Sequence, residues 1–383
     1  MSLLFIKMIV KQYLFKESQG WKDNLDQNFS PDLILIFGAR NLLSDTNLKS
    51  ITSVWPNAIS FGCSTSGEIF DTNVFTDSIT VSAIKFSKTT LSYFDIDIDD
   101  SKNSKVIGEK LIQHIPSKGL RHVLVLSDGL NINGSELVEG MRKSNPVNVN
   151  ITGGLAGDGD KFQETFIINN KGEVLKNKVG AVAFYGDSLE IGFGSYGGWD
   201  VFGMERHVTK SERNILYEID GKPALELYKS FLGEQAKNLP ASALLFPLSV
   251  RTSPDQPPVV RTILSIDEAH QSLTFAGDIP QGSYARLMKA NNDRLIHGAH
   301  QAAVEASGTS NQPLFAVLIS CVGRRLILKQ IVEEEVEAVK DVLPKGSTLA
   351  GFYSYGEISP FSHQALDCAL HNQTMTITTF YEK

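Results

Sequence analysis

Ser60-Phe61-Gly62-Cys63-Ser64-Thr65-Ser66-Gly67-Glu68-Ile69-Phe70 decides the reading, because its outline returns near the far end of the chain as Gly351-Phe352-Tyr353-Ser354-Tyr355-Gly356-Glu357-Ile358. In both copies an apolar, strand-like approach enters a polar turn of small or aromatic residues that closes on Gly-Glu-Ile. Between them, Thr152-Gly153-Gly154-Leu155-Ala156-Gly157-Asp158 keeps that outline with aspartate in place of glutamate.

Each turn follows an apolar run that ends in small residues and glycine: Leu33 to Gly38, Val123 to Gly129, and Phe315 to Gly323. From Gly38 to Gly67, Gly129 to Gly157 and Gly323 to Gly356 the distances are 29, 28 and 33 residues. Strand, loop, helix and second strand fit that length, which makes each stretch one βαβ unit. Three diverged copies of one unit predict an α/β fold of mixed sheets flanked by helices. A duplicated N-terminal domain precedes a related C-terminal one.

The motifs around Cys63 to Ile69, Ser127-Asp128-Gly129-Leu130, Ser320-Cys321-Val322-Gly323-Arg324 and Gly351 to Ile358 resemble those of FIST proteins (F-box and intracellular signal transduction). Their order matches an N-terminal FIST module over residues 31–219 and a C-terminal one over 220–365, the latter opening near Gly221-Lys222-Pro223-Ala224. The resemblance implies a sensory module that binds a small ligand and signals to a histidine kinase or a cyclic-dinucleotide enzyme, rather than a defined reaction. One branch of that family is similar to haem-based nitric-oxide sensors.

The 383 residues carry a formal net charge of -7, which argues against broad electrostatic attraction to nucleic acid or anionic membrane. Cys63, Cys321 and Cys368 lie far apart without a Cys-x-x-Cys pair, so neither a disulfide framework nor a zinc site is expected. Met1 to Val10, interrupted by Lys7, does not read as a signal peptide, and no apolar run reaches the length of a membrane span. The expectation is a cytoplasmic protein.

Along the chain, Phe5 to Phe15 reads as an opening strand and Ser44 or Asp45 as the start of a first helix. Ser78 to Phe86 and Leu91 to Ile98 alternate as strands, and Asp99-Asp100-Ser101 opens a helix that runs to Ile115. Asn133 with Glu136 starts the helix of the second unit. In the C-terminal half, Pro223 to Leu232 and Asp293 to Ala306 read as helices, and Val259 to Ile266 pairs with Ser272 to Phe275 as a hairpin. Ile331, Val332, Val336, Val339 and Val342 form the apolar stripe of the third unit's helix. Gly192-Phe193-Gly194-Ser195-Tyr196-Gly197 matches a dinucleotide-loop expression, but no apolar helix follows it, so it reads as a glycine-rich strand end.

Strand ends of α/β sheets gather side chains and backbone groups around ligands, so the three turns are the expected site. Cys63, Ser64, Thr65, Ser66 and Glu68 come from the first turn, Asp158 from the second, and Tyr353, Tyr355 and Glu357 from the third. Arg324 follows the neighbouring strand. Arg324 and Glu357 would meet at one sheet edge and there hold the carboxylate and ammonium of an amino acid; the alternative is that they pair with each other or face solvent. Gly67, Gly157 and Gly356 read as positions of positive φ. Two rival chemistries come from the residues. His297 and His300 share one helix face and could offer a haem ligand, or could be half-buried helix histidines. Gly62-Cys63-Ser64-Thr65-Ser66 approaches a nucleophile elbow with Ser66 in place of the second glycine, and no neighbouring base is evident for Cys63 as a Ser/Cys hydrolase. Asp128 could bind magnesium but lacks a phosphate loop.

Overall fold

In the computed structural model the described residues are 8–98, 103–145, 149–362 and 365–383, with side chains described outside 361–367. The expected helix start at Asp99-Asp100-Ser101 lies outside them; the helix described after it is Ser104–His114, with Asn103 accepting from the Val106 amide at its N-terminus.

All three expected βαβ units are present, each as a parallel strand pair. Leu33–Gly38 lies beside Ile59–Ser64, Leu120–Ser127 beside Asn150–Leu155, and Phe315–Cys321 beside Thr348–Ser354. Leu33–Gly38 and Phe315–Cys321 are buried at every residue, which is why they read as unbroken apolar runs instead of alternating. On the other flank of each first strand runs an antiparallel strand, respectively Ser78–Lys85, Lys178–Tyr185 and Met375–Glu382. Beyond these lie Ile9–Lys16, Thr90–Asp97 and Leu189–Tyr196.

The strand after each turn leaves its own unit. Glu68–Phe70, which follows the first turn, pairs with Thr348–Ser354 of the third unit. Gly356–Ser362, after the third turn, pairs with Asn150–Leu155 of the second. Ile167–Ile168, after the second, pairs with Ile59–Ser64 of the first. The exchange closes a ring of three sheets. The turns are stitched together at equivalent atoms: the Ser66 amide donates to the Tyr353 carbonyl (2.8 Å), Tyr355 to Leu155 (3.2 Å) and Gly157 to Ser64 (2.9 Å). Asp77, Asn177 and Gln373 then hold φ of 54°, 51° and 62° just before the third strand of each unit.

That register corrects the sequence alignment by one residue. Gly157 corresponds to Ser66 and Tyr355, while Asp158 corresponds to Gly67 and Gly356. The first strands align Gly38 with Ser127 and Ser320, so Gly129 and Gly323 lie beyond the strand ends and are not counterparts of Gly38. Of the three turn glycines, Gly67 has positive φ (139°), and Gly157 and Gly356 do not.

One core draws on all three sheets, through Phe37, Phe61, Leu126, Phe184, Ile319, Phe352 and Phe380. The Phe37 and Phe352 rings meet at 4.7 Å and those of Phe184 and Phe380 at 5.3 Å. Helices close the outer faces: Asp45–Thr52 on the first sheet, Ser104–His114 with Gly134–Lys143 on the second, and Asn292–Ser307 with Val332–Val342 on the third. Gly192 and Gly194 owe their place to this packing, since a Cβ there would sit 1.9 Å from the Ala306 carbonyl oxygen and 2.1 Å from that of Ala302. The glycine-rich stretch is indeed strand, Leu189–Tyr196, and it seats a helix rather than a phosphate.

Asp200 to Lys289 is inserted into the third repeat, between Leu189–Tyr196 and Asn292–Ser307. It carries its own sheet, the helix Ala224–Leu232 and a core of Leu225, Tyr228, Leu248, Leu273 and Phe275. The expected hairpin here is shorter than read. Ile263–Asp267 pairs with Ser272–Phe275, whereas Val259–Arg261 pairs with Leu248–Arg251, the strand being broken at Thr262.

Candidate functional site

Where the first unit's strands end, Thr65, Ser66, Glu68 and Asp158 line one cleft of about 560 Å³. Arg40, Asp77, Asp160, Lys161, Arg325 and Lys329 complete its charged wall. Arg40 reaches across to Asp158, with Nε 3.0 Å from Oδ1, and to Glu164, with Nη1 3.0 Å from Oε2. Asp158 is 4% exposed and is held further by the Glu164 amide. Arg325 donates to the Ser66 carbonyl oxygen. Among the described residues no carboxylate lies within ion-pairing distance of Arg325, so its guanidinium is available to an anionic group in this cleft.

Glu68 is 1% exposed and accepts from Thr65 Oγ1 at 2.5 Å and Ser78 Oγ at 2.7 Å. Burial pushes its carboxyl up to about 7, against the hydroxyls and Arg325, which favour the charge. Glu357 repeats the device in the third unit: it accepts from Ser354 Oγ at 2.9 Å and from the Thr374 amide (3.1 Å) and Oγ1 (2.9 Å), and burial carries it to about 8. Each carboxyl thus ties its turn to the start of the next long strand.

The expected meeting of Arg324 with Glu357 at a ligand does not occur. Arg324 is fully buried and grips Glu335 through Nε (3.0 Å) and Nη2 (2.7 Å), and also donates to the carbonyls of Gly197 (2.5 Å) and Leu295 (2.7 Å). Tyr353 Oη donates to the same Glu335 at 2.7 Å and Ser320 Oγ at 3.2 Å. The strand ends do reach one edge, but Arg324 sits in the first turn of the helix Val322–Leu328 and points inward, so Arg324, Tyr353 and Glu357 belong to the interior. Cys63 is also enclosed, at 0% exposure, and burial raises its thiol well above the ordinary range, which removes the thiolate a hydrolase would need. Ser64 is buried, and its Oγ accepts from the Phe166 amide. Tyr355 lines a different cleft, of about 310 Å³, at the ends of the second unit's strands. His297 is exposed and its ring stacks on His300 at 5.8 Å; neither lines these clefts. Asp128 caps its own loop, accepting from the Leu130 and Asn131 amides.

Three residues that matter were missed. Glu335 had a signal: it lies three residues after Val332 and four before Val339, inside the apolar stripe, where an acid must find a buried partner. Arg325 was one step from the arginine chosen. Arg40 had no signal, because its cleft is closed by the turn of another unit.

The FIST N domain model matches residues 32–222 and the FIST C domain model residues 224–360, in the expected order. An uncharacterized protein of Methanocaldococcus jannaschii is 27% identical over 204 residues, 49% of this chain, which spans 38% of that relative's length. Among solved structures, a chorismatase covers 98% of this chain, and the match spans 99% of that chain, at 8% identity and a TM-score of 0.34, too loose to define a shared fold. With both domain models matched in tandem over most of its length, the chain belongs to the FIST family of signal-transduction sensor modules.

Proposed function

We propose that this protein senses a small zwitterionic ligand, of the amino-acid type, in the cleft at the first unit's strand ends. It then passes its state to a histidine kinase or a cyclic-dinucleotide enzyme. The observation that carries the reading is the placing of Arg325, without a carboxylate partner among the described residues, in the same cleft as Glu68, Asp77 and Asp158. A guanidinium offers a carboxylate paired, coplanar donors, and a carboxylate opposite it accepts from an ammonium. The roles assigned by sequence to Arg324 and Glu357 pass to Arg325 and to the acids of this cleft. The protein acts by binding, without turnover. A cytoplasmic setting is supported by Cys63, Cys321 and Cys368 all being free thiols, and no described helix is long and apolar enough to cross a membrane.

A thermal-shift screen of the amino acids tests this, because a ligand that binds the folded chain alone stabilises it by about 2.7 kcal/mol at a hundred times its Kd. The expected result is a raised melting temperature with one side-chain class. No shift with any amino acid would overturn the ligand assignment.

A further inference from the structure

We infer that the cleft at the second unit's strand ends is a separate binding site for a planar aromatic carboxylate. Aligned strand registers place Gly129 here where the first cleft has Arg40, and Tyr355, brought in by the crossing strand, where Gly157 stands beside the first cleft. Relative to the first cleft, this one has lost an arginine and gained a tyrosine. The far wall comes from the inserted segment, through Arg213, Leu264 and Phe275.

Phe162 and Leu264 are 42% and 44% exposed, large apolar groups left open to water in one cleft. Phe162 also holds φ of 51°, a conformation that an aromatic residue adopts at a cost. One face of its ring stacks on Tyr355, with centroids 4.3 Å apart and planes 13° from parallel. Tyr355 Oη accepts from the Phe162 amide and donates to the Gly159 carbonyl oxygen, each at 3.2 Å, which fixes the loop that presents the ring. Strain and exposure both oppose folding. Together they set an aromatic platform whose free face suits a flat ring. At the same cleft the Arg213 side chain is 72% exposed and lies 3.7 Å from Glu136, too far for a tight pair, so its guanidinium can turn to a ligand carboxylate.

Calorimetry on the full chain with indole-3-acetate tests the site, with indole-3-acetamide and cyclohexylacetate as controls. Indole-3-acetate is expected to bind, with each control weaker by about tenfold for want of the charge or the flat ring. Phe162→Ala should weaken indole-3-acetate by about tenfold. Arg213→Ala should remove the preference for acetate over acetamide. Phe162→Gly should weaken binding as much as Phe162→Ala yet keep the parent's melting temperature, because glycine adopts positive φ freely. Arg325→Ala should leave indole-3-acetate binding unchanged. The inference is overturned by absence of binding up to millimolar concentration, by equal affinity of cyclohexylacetate or of Phe162→Ala, or by loss of binding in Arg325→Ala, which would put the ligand in the first cleft.

Discussion

Arg324 and Arg325 are neighbours in one helical turn and serve different parts of the molecule. Arg324 is fully buried, and four polar contacts to Glu335, Gly197 and Leu295 hold it. Arg325 is half-buried at the cleft and touches the backbone of the first turn. Successive side chains on a helix diverge by about 100°. A single-residue step therefore separates a charge that holds the third unit together from one that addresses the site. The chemistry of the two side chains is identical, and only the direction in which the helix aims them differs.

The largest effect expected from breaking this contrast is on stability. Arg324→Ala leaves Glu335 buried without its cation and should cost about 3–5 kcal/mol in urea unfolding, whereas replacing both by apolar residues should recover much of that. If Arg324→Ala unfolds no more easily than Arg325→Ala, the division of roles is wrong. Gly67→Ala comes next. Its Cβ would lie 2.9 Å from Arg325 Nε, on a backbone at φ 139°, so it should cost about 1–3 kcal/mol and also push the arginine out of place. A melting curve that matches the parent would show that Arg325 is loosely held.

The smallest effect is on pH dependence and compares the first and third units with the second, which has Gly159 where they have Glu68 and Glu357. Folding raises Glu68 to about 7 and Glu357 to about 8, above the roughly 4.3 of an unfolded glutamate. Below the unfolded value both states are protonated and the buried carboxyls contribute fully. As pH rises towards 7 and 8 the unfolded chain has released protons that the folded chain retains, so stability falls over that window. Glu68→Gln should flatten part of this decline. Melting temperatures of parent and variant measured from pH 5 to pH 8 check it; parallel curves would mean that Glu68 titrates normally.

Much of the fold could be read from the chain because the first strands of the first and third units are buried on both faces and show as unbroken runs, as in Leu33-Ile34-Leu35-Ile36-Phe37. The exchange of strands between units could not, since Glu68–Phe70 would read the same whichever sheet it joined. The site was legible in part for the same reason. Thr65, Ser66, Glu68 and Asp158 were found because they sit in the repeated turns, while Arg40 and Asp77 enter the cleft only once the second turn has crossed to the first sheet. Cys63 and Ser64 still belong to the buried strand Ile59–Ser64, and the next residues reach the cleft.

The most direct test of the central claim is calorimetric titration of the parent, Arg325→Ala and Arg324→Lys with the amino acid that gives the greatest thermal shift. Arg325→Ala should lose about 2–4 kcal/mol of affinity, about thirtyfold to a thousandfold, with a melting temperature close to the parent's. Arg324→Lys should melt earlier yet bind, at a temperature where it is folded, with the parent's affinity. Unchanged affinity in Arg325→Ala, or its loss in Arg324→Lys alone, would contradict the placement of the ligand in the first cleft.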